Sequence, residues 1–395
     1  MTTYEAYPVV LLIAGVLTYL LSFPVRRLAV RFGAVALPDE DHIHVRPTPT
    51  IGGAAMFLAF AITIEIASHI PTLAPVFHGS SEPLGVVLAG AVIYLVGLVD
   101  DIRNISAPAK VAGQVLAAMV LVFLGVTMYY FKLPFDHSII SLTPSLLPLV
   151  TAIWVVGMAN SVNLIDGLDG LAAGIVAIAS ASLCIYGLRL ESLGDLGVDN
   201  LGPLIAVITC GVCLGFLPHN FHPARTFMGD GGALFLGLSL AAQTMVIGGR
   251  TENAANSGVD VSGLTFFRFA PLFIPFFILG VPMFDTAFAI VRRTVKGTGV
   301  AERDLGHLHH RLVRLGHGHR RAVLILWAWT TLLSAFVLLP TFNSHANAFV
   351  PVGVGLLGVG LYTVFRPGAR PKAPERSRRH ELLRRSHRRD HARHG

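Results

Sequence analysis

The chain carries a run of amide and carboxylate side chains between two apolar segments. The members of this run are Asn160, Asn163, Asp166 and Asp169. Their spacing of three residues would align them along one face of any helical turn. A charge inside a membrane segment costs about 2.5 to 3.5 kcal/mol on insertion scales, so these acids need a cation or a polar cavity. The run predicts a site for a ligand with metal-bound phosphate and hydrogen-bonding groups, and a plain polar turn is the simpler alternative.

A pair of adjacent acids, Asp100 and Asp101, follows an earlier apolar segment. Two neighbouring carboxylates repel each other, so in a partly desolvated place they need Mg²⁺ or Mn²⁺, or one of them stays protonated and acts as a base. Solvated acids after a helix are the alternative. Acids are unfavourable at the negative end of a helix dipole, which favours the functional interpretation.

A glycine-rich turn around Asp230 opens another apolar segment, with the sequence Gly229-Asp-Gly-Gly232. Free backbone N–H groups at a helix N-terminus favour a phosphate, and Asp230 could bring a metal to it. A simple helix cap explains the same residues, and this alternative stays open.

Two basic loops contain further candidates for substrate contacts. The first loop holds His307, His309, His310 and Arg311. Arginines beside these histidines suit the oxygens of a pyrophosphate, and the absence of a nearby Cys weighs against zinc. A solvated basic loop remains the alternative. The second loop holds His44 and Arg46, which could contact a base or a phosphate.

The elements that must position these residues are membrane helices. The chain is 53% hydrophobic and only 13% charged, with a mean hydropathy of +0.65, whereas soluble domains are about 25% charged. These values predict an all-α polytopic integral membrane protein with about eleven transmembrane helices. The predicted spans begin near Pro8, Ile51, Leu84, Ala109, Leu146, Asp169, Leu201, Gly231, Phe266, Ala322 and Ala348.

The positions of Lys and Arg predict the orientation of these spans. With alternating loops, all basic residues except Lys132, Arg189, Arg250 and Arg268 fall on one side, which is then cytoplasmic. The N-terminus is therefore expected outside and the C-terminus inside. Residues 1–365 form the predicted catalytic domain. Its active site is expected from the cytoplasmic loops 29–50, 100–108, 160–168, 219–230 and 292–321.

Much of the positive charge lies in the tail, residues 366–395. This basic segment is predicted to be disordered and to lie near anionic lipid headgroups. The net charge of +7 is concentrated in this tail and in one loop, so nucleic-acid binding is not expected.

Four motifs in order resemble the polyprenyl-phosphate N-acetylhexosamine-1-phosphate transferases. They are the Asp100-Asp101 pair, Asn160 to Ala172, Phe227 to Asp230, and the His307 to Arg311 loop, and together they cover nearly the whole membrane domain. The resemblance implies transfer of a sugar-1-phosphate from a UDP-sugar to a polyprenyl phosphate such as undecaprenyl or decaprenyl phosphate. It also implies that UMP is released and that Mg²⁺ is required, with Mn²⁺ as a substitute. A homodimer is compatible with it.

The form of the histidine loop resembles the branch that uses UDP-GlcNAc. Thr48 to Gly53 instead resembles the phospho-N-acetylmuramoyl-pentapeptide transferases, which is the alternative within the family. A cation-coupled transporter is the alternative from another class, because acids in broken membrane helices also mark ion pathways. The acids here are expected at one membrane face and no internal repeat is visible, which favours the enzyme.

The resemblance also implies a role for each candidate residue. Asp230 would ligate Mg²⁺ with Asp101 close by, and Asp100 would deprotonate or orient the attacking prenyl phosphate. Asn163, Asp166 and Asp169 would place the uridine and the metal-bound phosphate, with Asn160 beside them. The histidine loop would hold the diphosphate. A covalent phospho-aspartyl intermediate remains open as the alternative mechanism.

Overall fold

The computed structural model describes residues 3–36, 48–132, 139–249, 318–342 and 349–365. In these ranges the chain is a bundle of helices joined by short connections, as an apolar sequence with so few charges requires in lipid, where each backbone N–H must be satisfied within its own segment. The helices are α1 (Thr3–Arg31), α2 (Gly53–Ser68), α3 (Ala74–Phe77), α4 (Glu82–Arg103), α5 (Ala107–Phe123), α6 (Leu147–Ile165), α7 (Leu171–Ser192), α8 (Gly202–Asn220), α9 (Gly229–Gly248), α10 (His319–Phe342) and α11 (Phe349–Phe365).

Two small antiparallel ladders accompany the helices. Strand β1 (Val35–Ala36) pairs with β2 (Thr48–Pro49), with Val35 opposite Pro49. Strand β3 (Tyr130–Lys132) pairs with β4 (Ile139–Ser141). The all-α prediction did not include them, because strands of two or three residues leave no alternating pattern to detect.

The described part of the chain is an integral membrane bundle. Six of its helices are long and apolar enough to cross a bilayer, or seven if α2 and the short helices at Pro71–Phe77 form one span bent by 93°. Helices lie at each predicted span position except Phe266, which is outside the described residues, as are residues 366–395. Some are shorter than a full span, and α5 has 17 residues.

Helix α9 forms the centre of the bundle. It packs against α2, α4, α6, α7 and α8, and its residues from Gly231 to Ile247 are all buried. A helix that is apolar on every side is expected in such a central position. Large apolar side chains on α1 and α4, such as Leu12 and Leu95, are exposed instead and can face lipid. The buried α9 places its first turn, with Asp230, at one end of the bundle core.

Glycines allow three helices to meet backbone to backbone near Asp230. A methyl group on Gly97 of α4 would overlap backbone atoms of Asp230 and Gly231, and one on Gly53 of α2 would overlap Gly232. Such contacts leave no room for a side chain. The start of α9 is therefore held directly between α2 and α4.

Gly97→Ala is expected to disturb this contact and displace Asp230. Overpacking of this kind costs about 1–3 kcal/mol, and a displacement near 1 Å at a reacting group lowers turnover by about 100-fold. Gly157→Ala on α6 is the matched control, because no neighbouring helix among the described residues comes within 4 Å of its added methyl group. Thermal unfolding and turnover of both variants check the prediction. Equal behaviour of the two variants would contradict it.

Candidate active site

The carboxylate of Asp101 caps the start of α9 from a neighbouring helix. Its Oδ1 accepts the backbone N–H of Asp230 at 2.9 Å, and its Oδ2 accepts that of Gly231 at 3.3 Å. The first N–H groups of a helix have no partner within the helix and favour a negative charge. Asp101 thus fixes the first turn of α9, and both of its oxygens are engaged.

Gly229 makes this cap possible. Its φ is +69°, a left-handed conformation that residues with a side chain adopt rarely. A side chain at this position would also overlap the Thr50 carbonyl and the Asp101 carboxylate. A glycine is therefore needed before Asp230, because it turns the chain so that Asp230 begins α9 next to Asp101.

Lys110, in the first turn of α5, joins two of the predicted acids. Its Nζ donates to Asp100 Oδ2 at 2.8 Å and to Asp230 Oδ2 in a closer contact. The ammonium is mostly buried, with 14% of its side chain exposed. Charge-assisted hydrogen bonds of this kind are about twice as strong as neutral ones. One cation thus links the ends of α4, α5 and α9.

Asn163 on α6 completes the contacts of this cation. In the amide orientation that satisfies both groups, its nitrogen donates to Asp230 Oδ1 at 3.0 Å and its oxygen accepts from Lys110 Nζ at 3.1 Å. Asp230 is therefore held by an amide and by an ammonium from two other helices.

The carboxylate of Asp100 is fully engaged at the end of α4. Its Oδ1 accepts the N–H of Ile105 at 2.9 Å, and its Oδ2 accepts Lys110. Asn104 ends the helix in a left-handed conformation with φ of 47°, and Pro108 lies in the first turn of α5. This tight connection brings Lys110 back onto Asp100.

Asp166 is different, because its carboxylate has no hydrogen bond or ion pair among the described residues. It lies just after α6 and is partly buried. Burial, together with the negative charges of Asp230, Asp101 and Asp169, raises the pKa of Asp166 to about 7. Because no described residue pairs with its carboxylate, Asp166 is the acid of this group that is most available to a cation.

Asn160 lies on α6 as predicted but forms a pair with α5. Its Nδ2 donates to Gln114 Oε1 at 2.7 Å, and Gln114 Nε2 donates back to its Oδ1 at 3.3 Å. Gln114 is completely buried and lies one helical turn after Lys110. The contact therefore helps to hold α5, and with it Lys110, against α6.

Asp169 lies in a separate polar contact. The helical register from Asn160 to Asp169 is interrupted, because α6 ends at Ile165 and the chain turns through Gly170, whose φ is 80°. Asp169 Oδ2 accepts from His222 Nδ1 at 2.7 Å and from the Ala224 N–H at 3.1 Å. The prediction of four side chains on one helical face holds only within α6.

The segment after β2 is tied to the chain just before Asp230. Phe227 N–H donates to Pro49 O at 2.8 Å, and Gly52 N–H donates to Phe227 O at 2.9 Å. His44 and Arg46 precede this segment and lie outside the described residues. The residues of the predicted diphosphate loop also lie outside them: His307, His309, His310 and Arg311.

Lys110, Gln114 and His222 were not among the predicted site residues. A signal existed for the first two, since a lysine and a glutamine four residues apart in an apolar helix need polar partners in a membrane. His222 lies in the predicted loop 219–230, but its contact with Asp169, 53 residues away in sequence, could not be foreseen.

The donor chemistry of the cluster suits Mg²⁺. It offers carboxylate and amide oxygens, the ligands that hard cations prefer. Among the described residues, Lys110 is paired with Asp100 and Asp230. In the described residues no three acids, histidines or cysteines converge on one point as a metal site. Asp166, which has no partner in the described part of the chain, and the partly exposed Asp230 are the donors whose chemistry fits a metal.

Comparisons with known proteins assign the chain that carries these residues to a family. The profile of glycosyl transferase family 4 matches residues 83–248, which contain α4 to α9 and every acid described above. The chain is 42% identical over 348 residues to the decaprenyl-phosphate N-acetylglucosaminephosphotransferase of Mycobacterium tuberculosis (strain ATCC 25618 / H37Rv). That match covers 87% of this chain and 84% of that protein.

Two further relatives separate the branches of the family. The probable undecaprenyl-phosphate N-acetylglucosaminyl 1-phosphate transferase of Bacillus subtilis (strain 168) is 36% identical over 320 residues, or 81% of each chain. A phospho-N-acetylmuramoyl-pentapeptide-transferase of Thermoanaerobacter sp. (strain X514) is 28% identical over 326 residues, covering 78% of this chain and 89% of that protein. The predicted resemblance is confirmed, and the chain belongs to glycosyl transferase family 4, with greater similarity to these N-acetylglucosamine phosphotransferases than to this pentapeptide transferase.

Proposed function

We propose that this protein transfers GlcNAc-1-phosphate from UDP-GlcNAc to a membrane polyprenyl phosphate and releases UMP. The observation that carries the proposal is the convergence of Asp100, Asp101 and Asp230 on one end of the bundle, where Lys110 bridges Asp100 and Asp230. Relatives named for this transfer match most of the chain. An acidic, partly enclosed site at a bundle end suits a reaction between a lipid phosphate and a nucleotide.

The reaction exchanges one phosphoanhydride for another. An oxygen of the polyprenyl phosphate forms a bond to the β-phosphorus of UDP-GlcNAc, and the bond from that phosphorus to the bridging oxygen breaks, so UMP takes the bridging oxygen. Since the bond types on both sides are the same, catalysis must come from positioning and from neutralisation of phosphate charge.

The contacts of the site support a division of roles. Lys110 is the cation that can meet a phosphate oxygen, and Asp100 orients the acceptor phosphate through it. Asp101 fixes the first turn of α9 and so positions Asp230, which supports a positioning role for Asp101 in place of metal ligation. Asn163 holds Asp230 and Lys110, and Asn160 holds α5. Asp169 contacts the nucleotide.

Mg²⁺, with Mn²⁺ as a substitute, is part of the proposal. Asp230 and Asp166 would hold it, and when bound it would neutralise charge on the diphosphate. The diphosphate is proposed to be bound by His307, His309, His310 and Arg311. His44 and Arg46 are proposed to contact the substrate.

The topology of the chain is a further part of the proposal. We propose eleven spans with the N-terminus outside and the C-terminus inside, so that the site faces the cytoplasm. The basic tail would lie at the anionic membrane surface, and the protein would form a homodimer.

A reconstituted assay tests the function. The full chain in lipid nanodiscs receives labelled UDP-GlcNAc, decaprenyl or undecaprenyl phosphate and Mg²⁺. We expect UMP and a lipid-linked GlcNAc diphosphate in equal amounts, and loss of both on chelation of the metal. The parallel reaction with UDP-MurNAc-pentapeptide is the control for the branch. Product from that substrate alone would overturn the sugar assignment.

A further inference from the structure

His222 is hydrogen-bonded to one carboxylate oxygen of Asp169. Its Nδ1 lies 2.7 Å from Asp169 Oδ2, and the Ala224 N–H donates to the same oxygen at 3.1 Å. A carboxylate only accepts hydrogen bonds, so His222 must donate through Nδ1. The other oxygen of Asp169, Oδ1, has no hydrogen-bond partner among the described residues.

The loop that carries His222 has several hydrogen bonds that do not involve this ring. The Arg225 N–H donates to His219 O at 2.8 Å, and the buried Asn220 side chain donates to Thr226 O at 3.0 Å. Asn220 also accepts the Gly170 N–H at 3.0 Å, which joins the loop to the start of α7. These bonds close the loop from both sides, so we expect the fold of the loop to depend little on the ring of His222.

A face of the His222 ring contacts His319 at the start of α10. His222 stacks on His319 with ring centroids 4.7 Å apart and an angle of 19° between the planes. Arg320 Nε donates to the His222 carbonyl at 2.9 Å. The ring therefore has a fixed plane, and this plane directs Nδ1 towards Asp169.

We propose that His222 is a positioning residue that orients Asp169 for the nucleotide of the UDP-sugar. This inference rests on the proposed function. Two donors on Oδ2 fix the plane of the carboxylate and leave Oδ1 to accept an N–H of the base or a hydroxyl of the ribose. The role of His222 is exerted through Asp169, so its loss weakens nucleotide binding more than it slows the chemical step.

Two substitutions separate the hydrogen bond from the stacking contact. His222→Phe keeps a ring against His319 but cannot donate. His222→Asn carries an amide N–H near the position of Nδ1 but cannot stack. We expect His222→Phe to raise KM for UDP-GlcNAc about 10-fold with kcat changed less than about threefold, because binding common to ground and transition states is lost. His222→Asn should remain within about threefold of the original KM.

Further measurements exclude a general structural effect. KM for polyprenyl phosphate and the midpoint of thermal unfolding should be the same in both variants. In an Asp169→Ala background, His222→Phe should add nothing, since a residue that acts through Asp169 has no effect without it. An unchanged KM in His222→Phe, or an equal rise of KM in both variants, would overturn the proposal, as would additivity with Asp169→Ala.

Titration calorimetry with UDP keeps this test separate from the proposed function. Binding of UDP needs neither the acceptor lipid nor turnover. If the original protein forms no lipid-linked GlcNAc, the proposed transfer fails. Weaker UDP binding in His222→Phe than in His222→Asn would still support the role of His222, and equal UDP binding would overturn it.

Discussion

Replacement of Asp230 with Asn is expected to lower turnover by about 100- to 1,000-fold while the protein still folds. The amide keeps the size of the side chain and can still accept from Lys110, but it removes the charge proposed to hold Mg²⁺. Asn163 and Lys110 contact this carboxylate, but most of α9, from Gly231 to Ile247, is buried without it, so we expect the bundle to remain intact. Turnover with Mg²⁺ and with Mn²⁺, together with thermal unfolding, measures the effect.

Asp199→Asn is the control for this experiment. Asp199 is an exposed acid between α7 and α8, at the end of α7 opposite to Asp169. Its substitution should leave turnover unchanged. Near-normal turnover in Asp230→Asn would show that this charge is not needed and would remove Asp230 from the metal site.

Replacement of Lys110 with Met should affect both activity and stability. Methionine has a similar length, but it leaves Asp100 and Asp230 without their shared cation. Loss of one partner from such a pair costs about 1–3 kcal/mol of unfolding free energy, and turnover should fall by about 100-fold or more, as for other groups that neutralise transition-state charge. Thermal unfolding and turnover in nanodiscs check both expectations.

Addition of Mg²⁺ and a second substitution test whether Lys110 acts through its charge. Mg²⁺ should raise the unfolding temperature of Lys110→Met more than that of the original protein, because a ligand stabilises the state whose charge it compensates. A second substitution, Asp100→Asn, should restore part of the stability lost in Lys110→Met without restoring turnover, since it removes one of the two carboxylate charges left without their cation. If the second substitution restores turnover as well, Lys110 has only a structural role.

The sequence was sufficient to predict a helical membrane protein, because the hydropathy of a segment depends only on its own residues. The positions of the helices followed from apolar runs between charges, prolines and glycines. The bend between α2 and the helix at Pro71–Phe77 was not predicted. A proline at the end of an apolar run indicates an interruption, but the angle of 93° depends on packing against neighbouring helices.

The residues of the candidate site were easier to predict from the sequence than the contacts that they make. Asp100, Asp101 and Asp230 are conspicuous because acids are rare beside membrane segments. The engagement of both Asp101 oxygens by α9 could not be foreseen, because those N–H groups lie 129 and 130 residues away in sequence. The interruption after Ile165 likewise depends on Gly170 meeting Asn220, a tertiary contact.

The glycine contacts at the start of α9 also affect how inhibitors of this protein should be chosen. Backbones that touch without intervening side chains cannot be compressed by a ligand or adapted by a rotamer change. The corner formed by Gly53, Gly97 and Gly231 is thus a rigid template, and compounds that approach Asp230 must fit it as it stands. Rigid molecules with the correct shape should gain more affinity there than flexible ones, since the protein contributes no adjustment of its own.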